Sequence, residues 1–170
     1  MPEKKIHDKQ FNVLILCTGN SARSILGEVL FNSLGQGKIK AYSAGSKPAG
    51  RVNPGAIEWL QNNGYATDGY RSKSWDEFAL PDAPKFDFIF TVCDNAAGEV
   101  CPIWLGHPAT GHWGIPDPAH IEGDEARRAA FNKAAEQLSR RIKLFLSSPL
   151  SGMDKPALEE KLNEIGQIQD

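Results

Sequence analysis

Short apolar segments alternate with helical segments along this chain, and this alternation restricts the possible folds more than any other feature. The first apolar segment runs from Phe11 to Cys17 and is followed by the turn residues Thr18-Gly-Asn-Ser21. After Arg23 apolar residues recur at helical spacing as far as Leu34, and Gly35 ends the pattern. The start of the chain is therefore predicted to form a buried strand, a tight loop and a helix.

The same order continues further along the chain. A second strand is predicted from Lys38 to Ser43, and a helix from Asn53 to Gly64, with Asn53 as its cap and Pro54 in its first turn. A third strand follows from Phe86 to Val92, and a long helix from Asp124 to Leu146. Strands that alternate with helices form parallel sheets. We therefore predict one doubly wound α/β domain, with a mainly parallel sheet of about four strands and helices on both faces.

The 170 residues fit a single domain with short additions at both ends. Residues 1–10 are predicted to be a polar tail, residues 11–148 the domain, and residues 149–170 an appended helix with Leu158, Leu162 and Ile165 on one face. The stretch from Cys101 to Pro118 is rich in Gly, Pro and Trp and is predicted to be loop.

Charge and hydropathy exclude several classes of partner. The 19 Lys and Arg nearly balance the 21 Asp and Glu, and without a long basic stretch nucleic acid is not expected as a partner. The apolar stretches are much shorter than the roughly 20 residues that span a bilayer. The polar N-terminus lacks the apolar core of a signal peptide, so we expect a cytoplasmic protein without membrane partners. Its 3 cysteines favour catalysis, redox exchange or metal binding over a disulfide framework.

The loop after the first strand has the features of an anion site. Gly19 and Asn20 tolerate a positive φ, which allows successive backbone N–H groups to point inward. The helix that begins near Arg23 adds its positive end, and the guanidinium can donate two hydrogen bonds to one anion. We predict a site for a tetrahedral oxyanion, similar to known phosphate sites. Its predicted residues are Thr18, Gly19, Asn20, Ser21, Ala22 and Arg23.

Cys17 is the predicted nucleophile of this site. Cysteines at helix N-termini beside arginine have pKa values of about 3.5 to 7.5, below the ordinary value of about 8.5. We therefore expect a thiolate at neutral pH, which is the reactive form. The alternative is a buried, inert Cys17 with Arg23 as a surface charge.

Two more thiols and one carboxylate accompany this loop, and the residues alone leave their roles open. Cys93 follows the third strand, so it is expected at the same sheet edge as Cys17. Cys101 follows later in the chain. Cys93 and Cys101 could exchange disulfides in a relay, bind zinc together with histidines, or be two inert thiols. The 7 intervening residues exceed the usual spacing of about two to four between zinc ligands, so no metal is predicted. Asp117 lies between two prolines. This pattern is consistent with a residue in a turn, and equally with a general acid held in a fixed orientation.

Several motifs together resemble the low-molecular-weight tyrosine phosphatase fold, and its arsenate reductase branch in particular. They are Cys17-Thr-Gly-Asn-Ser-Ala-Arg-Ser24, Tyr42-Ser-Ala-Gly45, Asn53-Pro54, Arg71-Ser-Lys-Ser74, Cys93, Cys101-Pro102 and His112-Trp-Gly-Ile-Pro-Asp-Pro-Ala119. The resemblance implies that Cys17 is the nucleophile and Arg23 the oxyanion clamp. It also implies that Ser24 donates a hydrogen bond to the thiolate and that Asp117 is the general acid.

The resemblance further implies a reaction. Cys17 would form an adduct with arsenate, Cys93 would release arsenite by forming a disulfide with Cys17, and Cys101 would take over that disulfide. Thioredoxin, or glutathione with glutaredoxin, would then reduce it, and no metal or organic cofactor is needed. The alternatives are a phosphatase that cleaves phosphotyrosine or aryl phosphates through a phosphocysteine, and a noncatalytic oxyanion-binding protein.

The chain departs from the family pattern at several positions. Ala22 stands where many relatives have a further cysteine, and thioredoxin-coupled members have one residue fewer between the two resolving cysteines. Ser74 stands where potassium-binding members have an aspartate, so no bound cation is predicted. Ala119 and His120 replace the aromatic residues that line the phosphotyrosine slot, which favours the reductase over the phosphatase.

Overall fold

A parallel sheet forms the centre of the computed structural model, which describes residues 10–93, 107–149 and 152–168. Strand β1 (Phe11–Leu16) lies between β2 (Ile39–Ala44) and β3 (Phe88–Thr91), and β4 (Ala109–His112) lies beyond β3. All pairings between these 4 strands are parallel. The predicted doubly wound α/β fold with a parallel sheet is therefore confirmed.

The described helices pack on the larger of two apolar clusters, and alternating side chains of β1 supply both clusters. Val13 and Ile15 face the larger cluster, while Leu14 and Leu16 face the smaller one. This alternation explains why β1 is continuously apolar from Val13 to Leu16. The α-helices are α1 (Arg23–Leu34), α2 (Pro54–Asn62), α3 (Asp124–Ser147) and α4 (Lys155–Gly166). Among the described residues, a short 3-10 helix (Trp75–Phe78) and neighbouring aromatic rings cover the smaller cluster.

Strand β4 lies in a stretch predicted to be loop. Its sequence, Ala-Thr-Gly-His, lacks the bulky apolar residues that indicate a strand. It becomes a strand through pairing with β3, in the register Phe88 with Ala109 and Thr91 with His112. Helix α4, predicted as an appended helix, packs on this strand, and Leu162 and Ile165 are buried in the larger cluster.

None of the helices in the described ranges combines the length and the apolar composition required to cross a bilayer.

Candidate active site

Cys17 and Cys93 lie at the carboxyl ends of two adjacent parallel strands. Cys17 follows β1 directly, and Cys93 stands two positions after β3. The backbone N–H of Thr18 donates a hydrogen bond to the Cys93 sulfur across 3.4 Å. Both thiols are buried, and both line one cavity of about 410 Å³. The same cavity is lined by the loop from Thr18 to Arg23 and by Asp117.

The loop after Cys17 turns its carbonyl groups away from the cavity. Three of these carbonyls accept hydrogen bonds from backbone N–H groups of the outer segment 47–53. The pairs are Lys47 N to Thr18 O at 3.0 Å, Ala49 N to Gly19 O at 2.9 Å and Asn53 N to Ser21 O at 2.8 Å. Such pairing turns N–H groups of the loop toward the cavity, where they can bind an anion.

Asn20 occupies a left-handed bend of this loop. Its φ of 46° lies in the left-handed region, in agreement with the positive φ expected for this position. The side chain is fully buried: its oxygen accepts from the Lys73 backbone N–H at 2.9 Å, and its nitrogen donates to the Ser24 hydroxyl at 2.8 Å. Ser24 thus contacts the loop from the first turn of α1. Its predicted hydrogen bond to Cys17 stays a prediction.

Lys73, whose backbone holds Asn20, forms an ion pair inside the protein that was not predicted from the sequence. The Lys73 ammonium lies 3.9 Å from the Glu28 carboxylate, which also accepts a hydrogen bond from the Ser43 hydroxyl. Burial raises the pKa of Glu28, although Ser43 and Lys73 oppose this rise. Burial also lowers the pKa of Lys73. The available signal was that Glu28 stands between two buried apolar stretches of α1, Ile25-Leu26 and Val29-Leu30-Phe31.

Arg23 reaches from the start of α1 to the wall of the cavity. Its Nη1 donates to the Ile115 carbonyl at 2.9 Å, and its Nη2 lies 3.6 Å from the Asp117 carboxylate. Helix α1 begins after Ala22, which gives the helix no side-chain cap. The first N–H groups of α1 and the guanidinium therefore both contribute positive charge at the oxyanion site.

Asp117 is held in a turn at the edge of the cavity. One carboxylate oxygen accepts from the Ala119 backbone N–H at 2.9 Å, and the other lies 3.5 Å from His120 Nε2. His120 and Arg51 also line the cavity, and both are exposed. Neither residue was predicted in the site, because a surface arginine or histidine forms no distinctive sequence pattern.

The protonation of Cys17 differs from the sequence-based expectation. A hydrogen bond with Cys93 and burial raise the pKa of Cys17, while the charge of Arg23 and the Thr18 N–H act in the opposite direction. The shift of the Cys17 pKa is therefore opposite in direction to the prediction. The prediction of a lowered pKa considered the positive end of the helix and the charge of Arg23. It did not consider a second thiol in contact with Cys17.

The remaining predictions concern a metal and the third thiol. Cys101 lies outside the described residues, as does the segment between it and Cys93. Within the described ranges, His, Cys, Asp and Glu form no group of three that could hold a metal ion. His112 Nδ1 is 2.7 Å from the Thr91 hydroxyl instead.

Comparisons with known proteins agree with this geometry. The sequence profile described as low molecular weight phosphotyrosine protein phosphatase matches residues 12–159. An arsenate reductase of Halalkalibacterium halodurans is 35% identical over 134 residues, which are 78% of this chain and 93% of that protein.

Solved structures of the same architecture come from both branches of the fold. An arsenate reductase of Archaeoglobus fulgidus superimposes with a TM-score of 0.64 at 29% identity, covering 80% of this chain and 99% of the other. A low molecular weight protein tyrosine phosphatase of T. tengcongensis has a TM-score of 0.63 at 22% identity, covering 81% and 98%, and shares the fold. The chain belongs to the low molecular weight phosphotyrosine protein phosphatase family.

Proposed function

We propose that this protein is an arsenate reductase that converts arsenate to arsenite through its own thiols. The observation that carries the proposal is the contact between Cys17 and Cys93 inside the cavity that the loop from Thr18 to Arg23 lines. A phosphatase needs one thiol at this position, whereas a reductase needs a second thiol within reach of the first. Similarity to arsenate reductases over most of both chains supports the same function.

Binding and the first chemical step use the residues around the loop. Backbone N–H groups and Arg23 hold the arsenate oxygens, and the sulfur of Cys17 attacks arsenic. A sulfur–arsenic bond forms while one arsenic–oxygen bond breaks. The oxygen leaves as water, for which Asp117 supplies a proton. The raised pKa of Cys17 favours its thiol form. The thiol proton must therefore leave before or during the attack, and a bound arsenate oxygen can accept it.

The redox step uses the neighbouring thiol. The sulfur of Cys93, as thiolate, attacks the sulfur of Cys17, and the sulfur–arsenic bond breaks. The electron pair of that bond stays with arsenic, which leaves as arsenite, and a Cys17–Cys93 disulfide forms. The two cysteines are oxidised by two electrons, and arsenic is reduced by the same two. The Thr18 N–H stabilises a thiolate at Cys93, because it already donates to that sulfur.

Turnover requires that the disulfide be reduced again. We propose that Cys101 attacks Cys93, which frees Cys17, and that thioredoxin or glutathione with glutaredoxin reduces the resulting Cys93–Cys101 disulfide. This step rests on the sequence alone, and it needs no metal or organic cofactor. A supply of reduced dithiol is available in the cytoplasm, where we expect the protein to act.

The variant Cys93→Ser separates the two candidate functions. It removes the resolving thiol but keeps Cys17, Arg23 and Asp117, so we expect arsenate reduction in the presence of thioredoxin and its reductase to be lost. Hydrolysis of p-nitrophenyl phosphate, where wild-type protein shows it, should persist. Arsenite formation at the wild-type rate in Cys93→Ser would contradict the proposal.

The second candidate is a phosphatase, and one specific observation favours it. Cys17, Arg23 and Asp117 line one cavity, and these residues suffice for transfer of a phosphoryl group to sulfur and then to water. Aryl phosphate hydrolysis without arsenate reduction by wild-type protein would favour this function.

A further inference from the structure

Helix α4 lies unusually close to the edge strand β4, and glycine on each side permits the contact. A Cβ atom added to Gly111 on β4 would lie 2.7 Å from the Leu162 Cβ on α4. A Cβ added to Gly166 on α4 would lie 2.1 Å from the His112 carbonyl oxygen. Neither distance is possible for real atoms, so any larger residue would push the helix away from the strand.

Side chains of α4 also bind the N–H groups that β4 would otherwise leave exposed at the edge of the sheet. Glu159 Oε2 accepts from the Thr110 backbone N–H and hydroxyl, both at 3.0 Å. Asn163 Oδ1 accepts from the His112 N–H at 2.8 Å. The helix therefore covers the edge of the sheet and satisfies these two N–H groups.

The contact continues into the protein core through Trp113. Its indole N–H donates to the Leu162 carbonyl of α4 at 2.9 Å, and its side chain is fully buried. Its ring lies 4.0 Å from the Phe90 ring, measured between centroids. The backbone N–H of Trp113 also binds the Thr91 carbonyl at 2.7 Å. Trp113 is thus held between the sheet and α4.

Two residues after Trp113, the same segment contacts the active site. Ile115 donates its N–H to the Val92 carbonyl at 3.2 Å and accepts the hydrogen bond from Arg23 at 2.9 Å. A second cavity, of about 490 Å³, has Arg23 and Ile115 on one side and Asn163 and Gly166 of α4 on the other. The segment from Trp113 to Ile115 connects α4 to the Arg23 guanidinium through hydrogen bonds at both ends, so a shift of α4 would reach Arg23 through this segment.

We propose that α4 is a positioning element for the oxyanion site. By holding β4 and Trp113, it fixes the Ile115 carbonyl against which Arg23 is aligned, and it fixes the start of the turn that carries Asp117. The proposal goes beyond arsenate reduction, since it requires only that Arg23 binds an oxyanion. Gly166 and Asn163 are the positioning residues, because they act through β4 and do not touch the oxyanion cavity.

The variant Gly166→Ala tests this role in the full-length protein. Alanine favours the helix itself over glycine, so α4 should stay formed, but its last turn must move away from His112. The measurement is protection of Cys17 from iodoacetamide by inorganic phosphate. A small displacement of Arg23 weakens its hydrogen bonds to phosphate strongly, because these bonds depend on orientation. We therefore expect the phosphate concentration that gives half-protection to rise about tenfold. Glu164→Ala, an exposed position in the same turn, is the matched control and should leave it unchanged.

Asn163 provides a second test that separates positioning from general stability. Asn163→Ala removes the acceptor for the His112 N–H, while Asn163→Asp keeps an acceptor at the same place. We expect weaker phosphate protection in the alanine variant and recovery in the aspartate variant, with similar thermal midpoints for both. Wild-type phosphate protection in both Gly166→Ala and Asn163→Ala would overturn the proposal. If the α4 variants need more phosphate for protection but the wild-type protein reduces no arsenate, the proposed function is refuted while the positioning role of α4 is supported.

Discussion

Two groups of neighbours act on the reactivity of Cys17 in opposite directions. Arg23 and the Thr18 N–H favour the thiolate, while Cys93 and burial favour the thiol and raise its pKa. The folded chain therefore holds the Cys17 proton more tightly than the unfolded chain does. The stability contributed by this proton is fully present below the ordinary thiol pKa, and it is lost as the pH rises through the raised value.

We predict that Cys93→Ala lowers the pKa of Cys17, because it removes the largest cause of its elevation. The rate of Cys17 alkylation by iodoacetamide, measured from pH 5 to pH 10, should reach half its maximum at a lower pH than in wild-type protein. Cys17→Ser is the control that identifies the alkylated residue. An alkylation profile that does not move would show that Cys93 does not control the protonation of Cys17.

Arg23→Ala should weaken the binding of all tetrahedral oxyanions together. The guanidinium lies at the cavity wall with only 15% of its side chain exposed, and a hydrogen bond to a charged group contributes about 1.5 to 3 kcal/mol. We expect phosphate, sulfate and arsenate to bind about 10- to 100-fold more weakly, as measured by calorimetry. Arg23→Lys should recover only part of the affinity, since an ammonium cannot donate two parallel hydrogen bonds. Unchanged phosphate affinity in Arg23→Ala would exclude the clamp.

The buried pair of Lys73 and Glu28 should behave as a unit. Lys73→Met leaves the Glu28 carboxylate without its cation, and breaking a buried pair from one side costs about 3 to 5 kcal/mol. The double variant Glu28→Gln and Lys73→Met removes both charges, so it should be more stable than Lys73→Met alone. Urea unfolding at pH 7 measures both. Equal or additive losses in the single and double variants would show that the two residues are not coupled.

Among the secondary structure elements, those with strong local signals are the ones that could be predicted. The apolar run of β1, the end of α1 at Gly35 and the Asn53-Pro54 start of α2 are all encoded within a few neighbouring residues. Strand β4 was missed because its four residues form a strand only by pairing with β3 and packing under α4. No local pattern carries that information.

The cap of α2 gives a prediction at the scale of elements. The Asn53 side chain accepts from the Gly55 N–H at 2.8 Å, which satisfies one of the unpaired donors at the helix start. Asn53→Ala should therefore reduce the free energy of unfolding by about 1 kcal/mol. Asn53→Asp retains the acceptor and serves as the control. Urea denaturation measures both, and equal destabilisation by the two substitutions would contradict the capping role.

For the whole molecule, the parallel arrangement of strands explains how much of the site could be anticipated. Parallel strands bring their carboxyl ends to one edge, so the placement of Cys93 beside Cys17 follows from the order of elements alone. The raised pKa of Cys17, the ion pair below the loop and the packing of α4 on β4 depend on contacts between distant parts of the chain. Sequence patterns do not report such contacts, and the structure was needed to find them.

The central claim is that the sulfurs of Cys17 and Cys93 join when arsenate is reduced. The most direct measurement uses the variant Cys101→Ser, which cannot pass the disulfide onward, mixed with one equivalent of arsenate and no reductant. Peptide mapping by mass spectrometry should find a Cys17–Cys93 disulfide together with one arsenite released per chain. Arsenite without that disulfide, or no arsenite and two unmodified thiols, would contradict the account.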